Sequence, residues 1–379
     1  MTRNMKIFVD CIPLSSGGGV QVAIAFLENL RTSQGIDWQV AIPSTIVALL
    51  PIWIVQDSRT IVLAKQTAFD KFRLKYQLSA LVRASHPDIV FTVFGPAYFR
   101  ASVPQVVGFA LPRMLQNADC RNLNPPSLVS KMADCIRRYL MNQTDHVVVE
   151  TDTARNSFLA RFKFSPSNVS VIRNSVNPIL TRMPVDPQQA SVGETFRILV
   201  PSAYYKHKNL EIVPAVAKSL RHQLGHSSFL FCLTLPHDLP AWKHMQRVAS
   251  DLGVGSLVTS LGTLGLPELS QAYSQASAIF LPTLMEVSTA VYPESFYFRR
   301  PLVTSDLDFA RELCGEAALF VKPTDAGQIA SSIRVLMESG DLRRSLVEEG
   351  VRQLNTYPSP DEKFRQQIHV LKQIAKHRS

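Results

Sequence analysis

Two glutamates with seven residues between them, Glu286 and Glu294, stand where carboxylates can take part in recognition chemistry. The apolar run Ser277-Ala278-Ile279-Phe280-Leu281 is short and bounded, which predicts a buried strand. Pro282 and Thr283 end it, the small polar residues from Glu286 to Ala290 suit a tight loop, and Pro293 suits the first turn of a following helix. Glu286 then sits at a strand exit and Glu294 just inside a helix start. In an open α/β sheet such a helix start offers unpaired backbone N–H groups to the ligand crevice, where a phosphate fits. Carboxylates accept hydrogen bonds from hydroxyls instead. A ligand with both diols and phosphate, such as a nucleotide sugar, matches the combination. Two glutamates at this spacing also occur on solvated helix starts, so the surrounding elements decide the reading.

A second anion-friendly segment opens the chain. Lys6-Ile7-Phe8-Val9-Asp10 predicts a strand, and Gly17-Gly18-Gly19 then open an amphipathic helix over Val20 to Leu27. Strand, glycine turn and helix let a phosphate or sugar approach backbone N–H groups closely. The turn is not GxGxxG and lacks the lysine of a Walker loop, so a nicotinamide or ATP site is poorly supported; a plain glycine-rich turn is the alternative.

Further strands are expected near 39–43, 60–63, 88–92, 104–110, 146–149 and 169–173, and then near 196–201, 229–233, 257–259, 301–305 and 318–321, with helices between them. That alternation predicts parallel sheets covered by helices on both faces. The segment TRMPVDPQQASVGE is rich in Pro, Gln and small polar residues, as an interdomain connection would be. The expected division is a domain over 1–180, a linker over 181–195, a second domain over 196–360, and a C-terminal helix over 361–379 packing back on the first domain.

Composition narrows the classes. The 379 residues are 46% hydrophobic and 18% charged, enough to build real cores. No apolar run reaches the roughly 18 residues of a membrane span and no signal peptide is evident, so a cytoplasmic protein is expected. Cys11, Cys120, Cys135, Cys232 and Cys314 are scattered, with no zinc-type spacing, and are read as reduced and mostly buried. The net charge of +10 is uneven: residues 1–185 hold 20 Lys+Arg against 11 Asp+Glu, and 186–379 hold 20 against 19. Lys71, Arg73, Lys75 and Arg83 in one expected helix, and Lys131, Arg137 and Arg138 in another, could form cationic faces for an anionic membrane surface. Nucleic acid is a poorer partner, because no exposed aromatics interleave with the basic residues.

Lys208-Asn209-Leu210 entering a helix, P-T-x-x-E-x7-E at 282–294, P-L-V-T-S-D at 301–306 and C-G-E-A-A-L-F-V-K-P at 314–323 together resemble the GT4 family of retaining glycosyltransferases. Gly17-Gly18-Gly19 and Ile172 to Asn177 extend the likeness into the first half. The resemblance implies a GT-B fold: two Rossmann-like α/β domains with parallel sheets facing a central cleft. It also implies sugar transfer from a nucleotide donor with retention and no obligatory metal or cofactor. Carried over, Lys208 would bind the donor diphosphate, Glu286 would lie near the transferred sugar and Glu294 would hold the ribose. Ser288, Thr289, Gly18, Gly19, Arg173, Asn174 and Lys206 would complete the donor side. A cation beside the leaving group stabilises the charge that develops as the glycosidic bond breaks. Three departures stand out. Ala203 replaces the usual Arg, leaving Lys206, His207 or Arg173 as substitutes. Val287-Ser288-Thr289 replaces glycines, as in subfamilies that build surface polysaccharide such as O-antigen or capsule. The usual acceptor-side His is missing from 108–113, leaving Arg113, with Gly17, on that side. A lipid-linked glycan acceptor at the inner membrane face follows from what such families do. The alternatives are a catalytically inactive GT-B scaffold and a metal-dependent transferase using Asp306-Leu307-Asp308.

Overall fold

The computed structural model describes residues 3–15, 17–64, 70–115, 128–182, 195–225 and 228–376. The chain divides into two compact units, Met1–Asn174 with Pro358–Ser379, and Ser175–Tyr357. In the first, strands β1 (Met5–Asp10), β2 (Ile36–Pro43), β3 (Thr60–Leu63), β4 (Ile89–Thr92), β5 (Gln105–Gly108), β6 (His146–Val149) and β7 (Val169–Val171) form one sheet in the order β3-β2-β1-β4-β5-β6-β7. In the second, β8 (Phe196–Val200), β9 (Phe229–Leu233), β10 (Val258–Ser260), β11 (Ala278–Leu281), β12 (Leu302–Ser305) and β13 (Ala318–Val321) run in the order β10-β9-β8-β11-β12-β13. Neighbouring strands are parallel throughout. Helices cover such sheets on both faces, which is why β4, β5, β6, β11 and β12 read as unbroken runs of buried residues rather than alternating ones. Each sheet reverses its strand order once, at β1/β4 and at β8/β11, and in open α/β sheets the carboxyl ends at such a reversal are where ligands bind.

The glycine turn is shaped by packing. Gly17 has φ 68°, a conformation L side chains rarely adopt, and caps the helix Gly18–Thr32. A Cβ at Gly19 would lie 3.1 Å from Leu14 and 3.3 Å from Phe94, whereas Gly18 faces open space. At Gly108 a Cβ would lie 2.0 Å from the Val93 carbonyl oxygen, so only glycine fits where β5 ends.

The units divide elsewhere than at 180/181. Val176 and Leu180 are buried in the second unit's core with Leu199, Tyr273 and Tyr292, and Tyr297 donates its hydroxyl hydrogen to the Thr181 carbonyl at 2.9 Å. Apolar burial thus carries 175–182 into the second unit; most of the expected linker, 183–194, lies outside the described residues. The last helix, Pro360–Lys376, belongs to the first unit, where Ile368, Val370 and Leu371 join the β1 core and Phe364 packs 5.4 Å from Phe26. Its Lys363 is buried, donating to Asn174 Oδ1 at 2.6 Å and facing Glu150 Oε1 at 3.4 Å. Burial lowers the Lys363 pKa and Glu150 opposes that shift.

Of the two expected cationic faces, Arg73, Lys75 and Arg83 of the first are exposed, whereas the second is altered. Arg137 and Arg113 both pair with Asp134, and Arg138 donates to the Arg161 carbonyl while lying over the Phe162 ring. The helix Leu128–Met141 instead turns Met132, Ile136 and Tyr139 outward, each about 60% exposed or more. The Lys71 side chain lies outside the described residues. Cys11, Cys232 and Cys314 are buried thiols and Cys135 is exposed; Cys120 is outside the described residues.

Removing one partner of a buried ion pair leaves an uncompensated charge, at a cost of roughly 3–5 kcal/mol. Lys363→Met should therefore lower the urea midpoint of the first unit markedly, and Lys363→Met/Glu150→Leu should recover most of the loss. Equal midpoints for the single variant and wild type would show that the pair does not hold this helix.

Candidate active site

The site is built from the loops that leave β8 and β11, neighbours across the strand reversal of the second sheet. After β8 the chain makes a short 3-10 turn, Lys206–Lys208, and Asn209 follows in the left-handed region at φ 57°. Asparagine tolerates that region better than most residues. Its amide donates to the Pro282 carbonyl at 3.1 Å and the Pro323 carbonyl at 2.7 Å, tying the exits of β8, β11 and β13 together. The His207 carbonyl accepts from Leu284 N at 2.7 Å and lies 3.0 Å from the hydroxyl of fully buried Thr283.

These bonds bring Lys208 onto Glu286. The Lys208 ammonium pairs with Glu286 Oε1, and both side chains are largely buried. His207 Nε2 lies 4.0 Å from the same oxygen and the Thr283 hydroxyl 3.5 Å from it. Burial lowers the His207 pKa from its usual value, Glu286 pulls it back up, and Lys208 lowers it further. The His207 ring is stacked on Tyr205, with centroids 5.5 Å apart.

Further along the same loop, the Ser288 hydroxyl is buried and has no hydrogen-bond partner among the described residues. Thr289 Oγ1 accepts from Val291 N at 3.3 Å, where the helix Val291–Tyr297 begins. Pro293 is its third residue, in the first turn. Glu294 is buried in that helix, and its Oε2 accepts from the Tyr273 hydroxyl at 2.8 Å. Burial raises the Glu294 pKa to about 7, against the lowering effect of the Tyr273 hydrogen bond. The Tyr273 ring stacks on Phe298, and buried Arg300 donates to the Tyr273 and Ser274 carbonyls at 3.1 and 2.9 Å, fixing the end of the helix Leu266–Gln275.

Of the sequence-derived candidates, Lys208 and Glu286 are in contact, and Ser288, Thr289 and Glu294 follow in the same loop and helix. Lys206 opens the turn and is exposed. Gly17, Gly18, Gly19, Arg113, Arg173 and Asn174 belong to the first unit, where Arg113 pairs with Asp134 and Asn174 accepts from Lys363. Ala203 is exposed at the exit of β8. Asp306 of the DxD segment forms a two-bond pair with Arg311 at 2.5 and 2.8 Å, and Asp308 opens the helix Asp308–Cys314. The roles of Thr283, Asn209 and Arg300 escaped the sequence reading because they hydrogen-bond to backbone carbonyls distant in sequence. Tyr273 carried a signal, as the aromatic closing the helix before β11.

Two open parallel sheets with this site at the carboxyl ends of the second define the GT-B fold, the architecture of a class of glycosyltransferases. The whole chain superposes on Alr3699/HepE of Anabaena in complex with UDP and glucose with a TM-score of 0.76 and 16% identity, covering 98% of this chain and 100% of that one. Residues 184–353, most of the second unit, match the family described as glycosyl transferases group 1. The O-antigen chain mannosyltransferase RfbU of Salmonella typhimurium is 24% identical over 196 residues, 52% of each chain, so this chain spans about half the length of that relative. Alpha-D-kanosaminyltransferase of Streptomyces kanamyceticus is 20% identical over 304 residues, 77% of this chain and 75% of that one.

The raised Glu294 pKa has a definite sign. The folded protein holds this proton more tightly than the unfolded chain, so the associated stability is full below the ordinary carboxyl value of 4.5 and is lost as pH rises through about 7. The span corresponds to a loss on the order of 3 kcal/mol. Glu294→Gln, which cannot ionise, should gain several degrees in midpoint relative to the ligand-free wild type between pH 5 and pH 8, read by thermal unfolding across that range. A constant difference would show that Glu294 titrates normally.

Proposed function

We propose that this protein is a retaining glycosyltransferase that moves a sugar from a nucleotide-sugar donor to a glycan acceptor in surface-polysaccharide synthesis. The observation that carries the reading is the Lys208–Glu286 pair, held where the loops of β8 and β11 meet and followed in the same loop and helix by Glu294. In this reading Lys208 neutralises charge developing on the diphosphate leaving group. Glu286 orients the sugar through its hydroxyls. Glu294, with a proton of intermediate affinity, can either accept from or donate to the ribose diol. The Ser288 hydroxyl, without a partner among the described residues, and Thr289 lie just before the helix, where backbone N–H groups favour phosphate. A lysine supplies the cation at the leaving group, so the reaction as proposed requires no metal.

One relative is named for the O-antigen chain, which supports the surface-polysaccharide reading; the other is named for the kanosamine it transfers. For this chain the exposed Met132, Ile136 and Tyr139 stripe, set in the basic half, favours a lipid-linked acceptor met at an anionic inner-membrane surface. No helix among the described residues is long and apolar enough to cross a membrane.

Thermal shift with UDP, GDP, ADP and dTDP tests the donor site, because ligand at about 100 times its dissociation constant stabilises the fold by roughly 2.7 kcal/mol. One nucleotide should raise the midpoint and Glu294→Ala should remove the shift; no response to any of the four would favour an inactive scaffold. With that donor, Lys208→Ala should lower kcat by about 10²–10³-fold, and turnover should survive a chelator. Turnover abolished by chelator and restored by a divalent ion would instead select the metal-dependent alternative. Flotation with vesicles containing phosphatidylglycerol should carry the wild-type protein and not Met132→Glu/Ile136→Glu; equal flotation of both would remove this helix as the membrane contact.

A further inference from the structure

His207 carries a feature that the donor-site reading does not use. Its ring nitrogen and the Lys208 ammonium approach the same atom, Glu286 Oε1, one at 4.0 Å and the other in direct contact. One carboxylate oxygen is thus shared between a permanent cation and a titratable ring. The ring is half-buried and stacked on Tyr205, while its own carbonyl is bound by Leu284 N and Thr283, so the residue is anchored at both ends. The charged groups facing the ring are Glu286 from the loop after β11 and Lys208 from its own turn; Lys206, next in the chain, is exposed.

Without ligand the Lys208–Glu286 pair is internally neutral, and an added positive charge on His207 would face the Lys208 ammonium with little uncompensated negative charge nearby. If Lys208 turns to a pyrophosphate, that balance changes. Glu286 loses its lysine, and a second anion arrives beside it. Two negative groups within a few ångströms of an imidazole favour its protonated form.

We propose that His207 is a positioning residue that takes up a proton as the donor binds, replacing Lys208 as the cation that holds Glu286 while Lys208 engages the pyrophosphate. The proton comes from solvent and is bound at Nε2, the nitrogen facing Glu286; no covalent bond is made or broken. This inference rests on the donor-site reading above and adds to it a proton coupling. Burial and Lys208 keep the free ring below its ordinary pKa, so it is largely neutral near pH 7 before binding and has a proton to gain.

Isothermal titration with UDP-, GDP-, ADP- and dTDP-glucose tests this, since their pyrophosphate diesters carry no group that titrates near neutrality. Run at pH 7 in buffers of different ionisation enthalpy, the slope of observed enthalpy counts protons exchanged. Glu294 also titrates near neutrality and exchanges protons of its own, but it is present in both wild type and His207→Gln. The difference between the two proteins therefore reads His207. Wild type should take up a sizeable fraction of a proton more than His207→Gln, and its affinity should weaken relative to the variant by up to about tenfold per pH unit between the free and bound pKa values of the ring. Independently, the His207 ring resonance of the wild-type protein, identified by its absence in His207→Gln, should titrate at higher pH with the bound nucleotide sugar than without it. Binding with equal proton uptake in both proteins, or an unmoved ring pKa, overturns the proposal alone. Failure of all four nucleotide sugars to bind overturns the donor-site reading and this proposal with it.

Discussion

The carbonyl oxygen of His207 is the point on which the site depends. It accepts from Leu284 N and faces the Thr283 hydroxyl, which joins the loop leaving β8 to the loop leaving β11. Asn209, in the left-handed region, adds bonds to Pro282 and Pro323 and brings in the exit of β13. Thr283 is fully buried, and in such surroundings a satisfied polar network is rigid while a broken one is costly. The loops are therefore held in one register, and the contact between Lys208 and Glu286 is a consequence of that register rather than of two long side chains meeting by chance.

Three carboxylates of the second unit show how environment divides one functional group into different roles. Asp306 is exposed and its pKa is lowered by Arg311, so it is a surface ion-pair partner. Glu286 is nearly buried and matched by an ammonium. Glu294 is buried beside the Tyr273 hydroxyl, and desolvation raises its pKa toward neutrality. A buried carboxyl whose pKa is moved this far by desolvation is a candidate functional group.

The first unit is closed by the last helix of the chain. Phe364, Ile368 and Leu371 bury apolar surface against the β1 core, and Lys363 reaches Glu150 at the end of β6 and Asn174 beyond β7. Asn174, expected on the donor side, has its side-chain oxygen engaged in this internal contact. The arginines of the helix Leu128–Met141 are likewise drawn inward or paired, while Lys131 shares the outward face with the apolar Met132, Ile136 and Tyr139. Arginine can satisfy backbone carbonyls and aromatic rings as well as solvent, so a basic sequence does not by itself make a basic surface.

Much of this protein was legible in its residues. Short apolar runs bounded by Pro, Gly and polar residues located the strands of both sheets, because a parallel strand buried on both faces has to be apolar throughout. The Glu-x7-Glu spacing, Pro293 and Lys208-Asn209-Leu210 marked the site, since loops at carboxyl strand ends and helix starts leave local signatures. Local sequence could not show that Val176 and Leu180 belong to the second core, that Tyr273 and Arg300 support Glu294, or that Lys208 and His207 share one oxygen of Glu286. Strand periodicity and turn chemistry act over a few residues and are written in order along the chain. Burial, desolvation and ion pairing depend on which distant segments the fold brings within a few ångströms, and only the tertiary structure decides that.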